Sequence, residues 1–438
     1  MAQMLELVCV LLFLGSARAQ IPILCANEVN METAKCCPVF WGDGSECGRI
    51  SGRGSCQRIA AENGWRDRSD FRAGWPTYFF RRLCVCRGNY GGADCGECKY
   101  GWQGAQCRER HVVVRRDIAN MSPREQWTFI RRLDLSKRIL SNRYVIYTSE
   151  SASPGSRKSF RRVSVYDTAA YMHYVCSKTV RGGGDSNYAH RGPAFLSWHR
   201  MWSLQLEHEI RNITRDDSFS IPFWSWVGKS HCDVCKHDLF GRNEGDGSIM
   251  SGSIFSSWRT HCTNDNEHEA SMDVVCAPGP GQPIYRLNGE RLVYGPPMFT
   301  GLPTRRDHEA CLLLHVFDTP PYDATSTGCF RNALEGFIDP QNPYQRSIKM
   351  HNAVHVFCSG TLLNSFTAAN DPLFPCIHVN ADRIFDQWWR LHKTSSYPAG
   401  HVPIGHRADD IMVPFLPIVK NRELFGATTP LGYVYEGN

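Results

Sequence analysis

The sequence has little that would suit it to a membrane interior or to nucleic acid. Beyond its N-terminus it contains no apolar run of the ~18 residues that a membrane-spanning helix needs, so we predict no transmembrane segment in this chain. The net charge is only +6 and the arginine pairs are scattered, whereas a nucleic-acid binder concentrates basic residues on one element. Internal repeats and low-complexity segments are also missing. Hydrophobic residues make up 42% of the chain, which indicates a globular protein with one large domain and a small one.

The N-terminus has the pattern of a secretory signal peptide. An apolar core over Leu5–Leu14 is followed by an A-x-A cleavage site that ends at Ala19. We therefore predict a signal peptide over residues 1–19 and a place in the secretory pathway. Two N-glycosylation sequons agree with that compartment, N-M-S at Asn120 and N-I-T at Asn212.

Cysteine is abundant, with 20 residues in the chain, and its distribution is uneven. Ten cysteines lie between Cys25 and Cys107, an even number that predicts five disulfides in an oxidising lumen. Their short, glycine-punctuated spacing resembles an EGF-like module, which needs disulfides because it cannot form a sufficient core. A zinc site is the alternative, at Cys84, Cys86, Cys95 and Cys98. The nine cysteines that follow are odd in number, so at least one must stay free or bond to another chain.

From about residue 111 the pattern becomes helical. Ser122 and Glu125 form a capping box, with proline at the first helical position. Three further stretches have the apolar periodicity of helices: Leu196–Ile210, Arg346–Phe357 and His378–Arg390. The segment between Val227 and Gly295 is rich in glycine, proline and asparagine, which predicts long loops. We therefore predict a mainly α domain over residues 111–438, preceded by a small disulfide-rich module over residues 20–110.

Six of the 17 histidines form a pattern. His351 and His355 are four residues apart, so both side chains lie on one helix face. The others lie in the apolar segments YDTAAYMHYV, AHRGPAFLSWHR and CIHVNADRIF. A single histidine on an apolar face is more often a hydrogen-bonded core residue than a ligand, and we assign that role to the remaining eleven, among them His208 and His406. Together the six favour a metal site.

The chemistry of the donors narrows the choice of metal. Three neutral imidazoles with no thiolate or carboxylate suit copper or zinc, and copper heads the divalent affinity series at such sites. Two such sets on facing helices of a bundle can bury a pair of ions. We expect two copper ions, with two zinc ions as the alternative. One ion is expected at His173, His190 and His199, and the other at His351, His355 and His378.

At these residues the chain resembles the tyrosinase family of type-3 copper proteins, most of all its chordate members and the tyrosinase-related proteins. The likeness covers nearly the whole predicted mature chain, through CCPVFWGDGSECGRISGRGSC, FDTPPY, FRNALEGF, HNAVH, PIGH, MVPF and LGYVYE. It implies a four-helix bundle around the ions, with Glu335 and Asn352 holding a water beside them. From its place one turn after His378, Asp382 is expected to orient an imidazole, and Phe374 is expected to pack on a ligand ring.

The resemblance also implies an activity. Dioxygen hydroxylates a small monophenol to an o-diphenol and oxidises the o-diphenol to an o-quinone, which polymerises in melanin formation, in a secreted or melanosome-like lumen. Ile377 precedes His378 where vertebrate tyrosinases carry a second histidine, and Val379 is bulkier than the residue usual in tyrosinases. Both are expected near the substrate. The alternatives are a zinc-bound dopachrome tautomerase, a diphenol oxidase without monophenol hydroxylation, and an oxygen-binding protein.

Overall fold

A computed structural model describes residues 20–60, 70–148, 159–179, 187–262, 276, 281–289, 301–393 and 396–437. The predicted signal peptide lies outside the described residues. Within these ranges the chain forms nine α-helices joined by long loops: α1 Glu28–Glu32, α2 Pro123–Arg138, α3 Val165–Ser177, α4 Ala194–Thr214, α5 Arg305–Leu313, α6 Phe330–Glu335, α7 Met350–Cys358, α8 Ser365–Ala368 and α9 Phe374–His392.

The strands are short, and most are arranged as two-stranded ladders. In chain order they are β1 Ile21–Pro22, β2 Lys35–Cys36, β3 Val39–Phe40, β4 Ser45–Glu46, β5 Gly54–Arg58, β6 Arg82–Cys86, β7 Tyr90–Gly91, β8 Glu97–Cys98, β9 Trp102–Gln103, β10 Glu109–Arg110, β11 Val113–Arg115, β12 Tyr144–Thr148, β13 Ser159–Arg161, β14 Ile338–Asp339, β15 Asn342–Arg346 and β16 Tyr433–Tyr435. The larger sheets have the orders β1-β12-β13 and β2-β6-β5. The predicted mainly α domain after a disulfide-rich module is confirmed.

Local sequence signals explain most helix ends. The predicted capping box at Ser122 and Glu125 starts α2, and the Ser164 hydroxyl caps α3. The helices predicted from Leu196 and from His378 are confirmed, and both begin slightly earlier, α4 at Ala194 and α9 at Phe374. The start predicted at Arg346 for the third helix is wrong. Residues up to Arg346 pair with β14, so α7 begins only at Met350.

Four helices, α3, α4, α7 and α9, form the bundle at the centre of the molecule. Helix α4 packs on both α3 and α9, and α7 packs on α9, while α2 covers α3 from outside. The main hydrophobic core of the described residues is rich in indole rings, with five tryptophans fully buried: Trp198, Trp202, Trp224, Trp226 and Trp388. Large rigid aromatic side chains of this kind fix the spacing between the helices.

Ten cysteines of the N-terminal region form the five predicted disulfides, which excludes the zinc alternative. The pairs are Cys25–Cys36, Cys37–Cys56, Cys47–Cys84, Cys86–Cys95 and Cys98–Cys107. Two more disulfides lie in the helical part, Cys232–Cys235 and Cys262–Cys276. Five buried thiols complete the described set, as the odd count required: Cys176, Cys311, Cys329, Cys358 and Cys376.

The N-terminal region, residues 20–110, is packed into the rest of the molecule. Ile21, Phe71 and Phe79 belong to the main hydrophobic core, and β1 pairs with β12. Among the described residues, the cystines around Cys47 and Cys95 form a separate small cluster. Strand β16 pairs in parallel with β11, and its tyrosine hydroxyls donate to Asp382 of α9. Among the described helices, none combines the length and apolarity needed to cross a membrane.

Candidate metal centre

The bundle brings all six predicted histidines to its interior. His173 lies in α3, His199 in α4, and His190 in the loop that leads into α4. These three form the first trio. His351 and His355 lie one turn apart in α7, and His378 lies in α9; these form the second trio.

Within each trio the rings converge. One nitrogen from each of the three imidazoles can be chosen so that all lie within 4.8 Å of one another, in the first trio and in the second. The two trios also adjoin, because the rings of His199 and His378 stack with centroids 4.1 Å apart and planes 16° apart. The arrangement therefore offers two neighbouring three-nitrogen sites.

Hydrogen bonds fix which nitrogen of several rings carries the proton. Nδ1 of His199 lies 2.8 Å from the Phe195 carbonyl oxygen, and Nδ1 of His355 lies 2.7 Å from that of Leu362. A carbonyl only accepts, so these Nδ1 atoms donate and the Nε2 atoms keep their lone pairs. The same holds for His351, whose Nδ1 lies 3.3 Å from the Glu335 carbonyl oxygen.

The unprotonated Nε2 atoms of neighbouring rings face one another. Nε2 of His355 and Nε2 of His351 are 3.0 Å apart, and neither has a proton to donate to the other. Nε2 of His199 is buried and has no hydrogen-bond partner among the described residues. Buried acceptors in this condition are costly unless a donor or a cation lies between them. The donor set therefore fits a bound cation, and neutral imidazoles fit copper or zinc.

Burial keeps the six rings neutral. It lowers the pKa of every one of them, to about 3 for His199 and about 4 for His355. Removal of an imidazolium from water is the main cause in each case. At neutral pH the rings are thus in the form that binds a metal.

Two phenylalanine rings pack among the imidazoles. Phe374 lies 4.7 Å from the His173 ring and 4.1 Å from the His378 ring, as the sequence predicts. Phe195, which we did not predict, lies 5.0 Å from both His199 and His351 and so bridges the two trios. Phe195 and Phe374 therefore place apolar aromatic surface directly against the rings of both trios.

Glu335 and Asn352 both adjoin His351. The Oδ1 of Asn352 lies 3.2 Å from His351 Nδ1. The Glu335 carboxylate is buried and accepts from the backbone N–H of Arg191 at 2.6 Å and from the Arg331 guanidinium at 3.0 Å. Burial raises the pKa of Glu335, and the charge of Arg331 opposes that rise. The water-holding role of Glu335 and Asn352 stays a prediction.

The expected role of Asp382 needs correction. Its Oδ1 accepts from Arg200 Nε at 2.6 Å, and its Oδ2 accepts from Arg115 at 3.2 Å and from the hydroxyls of Tyr433 and Tyr435 at 2.6 and 2.5 Å. Both oxygens are therefore occupied by arginine and tyrosine donors rather than by an imidazole. Because Arg200 follows His199 and Asp382 lies one turn after His378, this ion pair ties α4 to α9 behind the trios.

The remaining predicted residues are distributed as follows. Ile377 and Val379 flank His378 and are fully buried, and their contact with substrate stays a prediction. The Ile377 carbonyl accepts from the indole of Trp226 at 3.4 Å. Asn120 and Asn212 are both exposed, and their glycosylation also stays a prediction.

Sequence reasoning missed the residues that hold the site from outside. His406 was assigned to the core, and it is a satisfied core residue, but its bonds hold the His190 loop. Its Nδ1 accepts from Ala194 N at 3.1 Å and its Nε2 donates to the Asn187 carbonyl at 2.5 Å. Arg331 could have been found from the sequence, because it lies four residues before Glu335, which is the spacing of an ion pair on a helix.

Comparisons with known proteins show the family to which this chain belongs. A family model for the common central domain of tyrosinase matches residues 163–391. Tyrosinase of Oryzias latipes is 39% identical, covering 97% of this chain and 82% of its own length. The 5,6-dihydroxyindole-2-carboxylic acid oxidase of Bos taurus is 38% identical, covering 98% of this chain and 84% of its own length. A solved tyrosinase of Burkholderia thailandensis superposes with a TM-score of 0.43 at 17% identity, over 75% of this chain and 74% of its own, which adds nothing to the family match. The chain belongs to the tyrosinase family, and its helical bundle is the fold of the type-3 copper proteins.

Proposed function

We propose that the protein is a copper-dependent phenol oxidase that uses dioxygen to hydroxylate monophenols and to oxidise o-diphenols to o-quinones. The first trio would hold one copper ion and the second trio the other. One observation carries this proposal: two sets of three neutral imidazoles lie side by side, joined by the stacked rings of His199 and His378. Seven disulfides support a place in an oxidising lumen, where o-quinones would serve melanin-type pigment formation.

The copper pair, when bound, would supply the redox chemistry with dioxygen. The protein's own residues prepare the site. Phe195 and Phe374 exclude water around the imidazoles, and backbone carbonyls hold the rings by their Nδ1 protons. A phenol has a pKa of about 10 and must lose its proton to bind a metal well. Glu335, which is next to His351 and buried with a raised pKa, would accept that proton through a water.

Metal content and oxygen uptake test the proposal together. The purified full chain should carry two copper ions and consume dioxygen with a monophenol and with an o-diphenol. His199→Gln should abolish uptake, whereas the matched control His208→Gln, nine residues further along α4, should retain it. His208 contacts Glu97 of the N-terminal region and no trio ring. Two zinc ions per chain with no uptake would overturn the proposal and favour a tautomerase.

A second candidate is an oxidase of o-diphenols that does not hydroxylate monophenols. Ile377 favours it, because the tyrosinase-related proteins carry an aliphatic residue at the position before the histidine that corresponds to His378. The bovine 5,6-dihydroxyindole-2-carboxylic acid oxidase is also almost as similar to this chain as the fish tyrosinase is, at 38% against 39% identity. Uptake with o-diphenol but none with monophenol, at full copper content, would select this candidate.

A further inference from the structure

Helix α3 ends at Ser177, and its C-cap residue does not continue the helical conformation. It carries His173 one turn before its last residue, and its C-cap Lys178 is extended, with ψ at 137°. The last carbonyls of a helix have no partner within it and carry the negative end of the helix dipole. Nor does a glycine in the left-handed region follow, as in a usual C-terminal motif. The carbonyls that close this helix must therefore find donors elsewhere.

Those donors come from Arg72, in the N-terminal region. One guanidinium nitrogen donates to the carbonyls of Val175 at 2.8 Å and Lys178 at 2.6 Å, and the other donates to Thr179 at 3.0 Å. The remaining donors bond Asp70, with Nε at 2.9 Å from Oδ1 and the second nitrogen at 2.6 Å from Oδ2. All five N–H donors are thus occupied, and the side chain is fully buried.

The same guanidinium also meets the loop of the next histidine. It lies 5.2 Å from the centre of the Tyr188 ring, two residues before His190. The Tyr188 backbone N–H donates to the Cys176 carbonyl of α3 at 3.0 Å. Within the turn that Arg72 closes, the Ser177 hydroxyl lies 3.3 Å from Nδ1 of His173. One charge therefore fixes both the last turn of α3 and the start of the His190 loop.

We propose that Arg72 is a positioning residue of the first metal site: it caps α3 from the N-terminal region and so holds His173 and His190 in place. The inference rests on the proposed metal-binding function. The second trio has no contact of this kind with residues 20–60 or 70–110, since its ring bonds go to Leu362 and Glu335 of the helical part. Arg72 should therefore act on one of the two metal sites and not on the other.

Copper binding to full-length chains with one site each tests this directly. His378→Ala leaves the first trio intact, and His173→Ala leaves the second. Into each we place Asp70→Asn with Arg72→Met, which removes the buried charge pair together and leaves no unpaired carboxylate. With only the first trio intact, affinity for Cu²⁺ should fall about 10- to 100-fold, the effect usual when a group that orients a ligand is removed. With only the second trio intact, affinity should stay unchanged. Arg72→Lys, which keeps the charge but loses the fork, should lie between.

A matched control separates positioning from loss of docking. Glu97→Gln breaks another contact between the N-terminal region and the helical part, the ion pair with Arg143, away from both trios. It should leave Cu²⁺ affinity unchanged in both backgrounds. Amide hydrogen exchange in α3, measured without metal, should accelerate in the Asp70→Asn/Arg72→Met chain and not in the control.

The possible failures are distinguishable. Equal weakening of both sites would show general destabilisation and overturn the role of Arg72. Unchanged affinity at the first site would overturn it as well. An unsubstituted chain that binds two Cu²⁺ ions yet oxidises no phenol would overturn the proposed function and leave the role of Arg72 standing.

Discussion

The two histidine trios are held by different parts of the chain. The supports that serve only the second trio lie within the central region matched by the family model, residues 163–391: the carbonyls of Leu362 and Glu335 bond its rings, and the Asp371 carboxylate accepts from the Leu373 N–H just before α9. The first trio also depends on Arg72 and His406, which lie outside that region on either side. The six histidines thus lie within the central domain, but part of the framework of the first trio lies outside it.

This difference gives the chain termini a part in the chemistry. The N-terminal region caps the helix of His173, and the C-terminal segment clamps the loop of His190. A third contact serves both trios, because Asp382 accepts from Arg200 and so joins α9 to α4, and it also accepts from Arg115 of β11 and Tyr433 of β16. Changes at Arg72 or at His406 should therefore affect the first site, whereas changes at Asp382 should affect both sites.

The largest effect should follow deletion of residues 20–110. The deletion removes Arg72 together with Ile21, Phe71 and Phe79, each of which stabilises the main core by about 1.5–3 kcal/mol. We expect no cooperative unfolding transition by circular dichroism or calorimetry. A shortened chain that folds and binds one Cu²⁺ would sharpen the comparison, since only the second trio would be self-sufficient. One that binds two would break it.

Asp382→Asn should come next and should affect both trios alike. Removal of this charge leaves Arg200 buried without a carboxylate partner, which typically costs about 3–5 kcal/mol, whereas Arg115 keeps its ion pair with Glu207. Denaturant unfolding measures the loss, and copper content should fall at both sites. The control Asp409→Asn disrupts an exposed pair with Lys420 and should cost no more than about 1 kcal/mol. Loss of copper from one site alone would contradict this role.

The histidines and helices were predictable because their signals are local. The spacing of His351 and His355 and the capping box at Ser122 are each contained within a few residues. Their outcome depends little on the rest of the chain, and the structure places them as predicted. The start of α7 was wrong by four residues because β14 captures the preceding segment, a pairing that helical periodicity does not register.

The framework of the site could not be predicted in this way. Arg72 lies more than 100 residues before the carbonyls it bonds, and His406 lies more than 200 residues after Asn187. A single arginine or histidine in such a position has no periodicity or motif to mark it. The expectation for Asp382 fails for the same reason: its position along the chain indicates His378 as its partner, whereas its hydrogen-bond partners lie in α4, β11 and β16.

Acid should weaken the first site through His406. Burial lowers its pKa from 6.5 to about 4, so between these values the unfolded chain binds more protons than the folded one. Stability is therefore complete above pH 6.5 and declines as the pH falls toward 4, by about 3 kcal/mol from this residue. Protonated Nδ1 would also face the Ala194 N–H that it now accepts from.

Unfolding free energy measured from pH 7 to pH 4 tests this expectation. His406→Gln should flatten the decline, because an amide can keep both the donor and the acceptor. His261, whose pKa burial also lowers to about 4, provides the comparison. His261→Gln should flatten stability in the same way yet leave the pH dependence of Cu²⁺ binding at the first trio unchanged. If His406→Gln and His261→Gln alter Cu²⁺ binding at the first trio equally, the hydrogen bonds from His406 to the His190 loop are not the cause.

The smallest effect concerns the substrate and the second trio alone. Ile377→His should raise the rate on a monophenol relative to an o-diphenol several-fold, because it places a second imidazole beside His378, as in the vertebrate tyrosinases. A buried histidine without a partner costs about 1–3 kcal/mol, so stability is measured alongside oxygen uptake with both substrates. Ile377→Leu conserves volume and should leave the ratio unchanged. A ratio that stays constant in Ile377→His, at full copper content, would show that residue 377 only fills the core behind His378 and that the second trio's substrate side lies elsewhere.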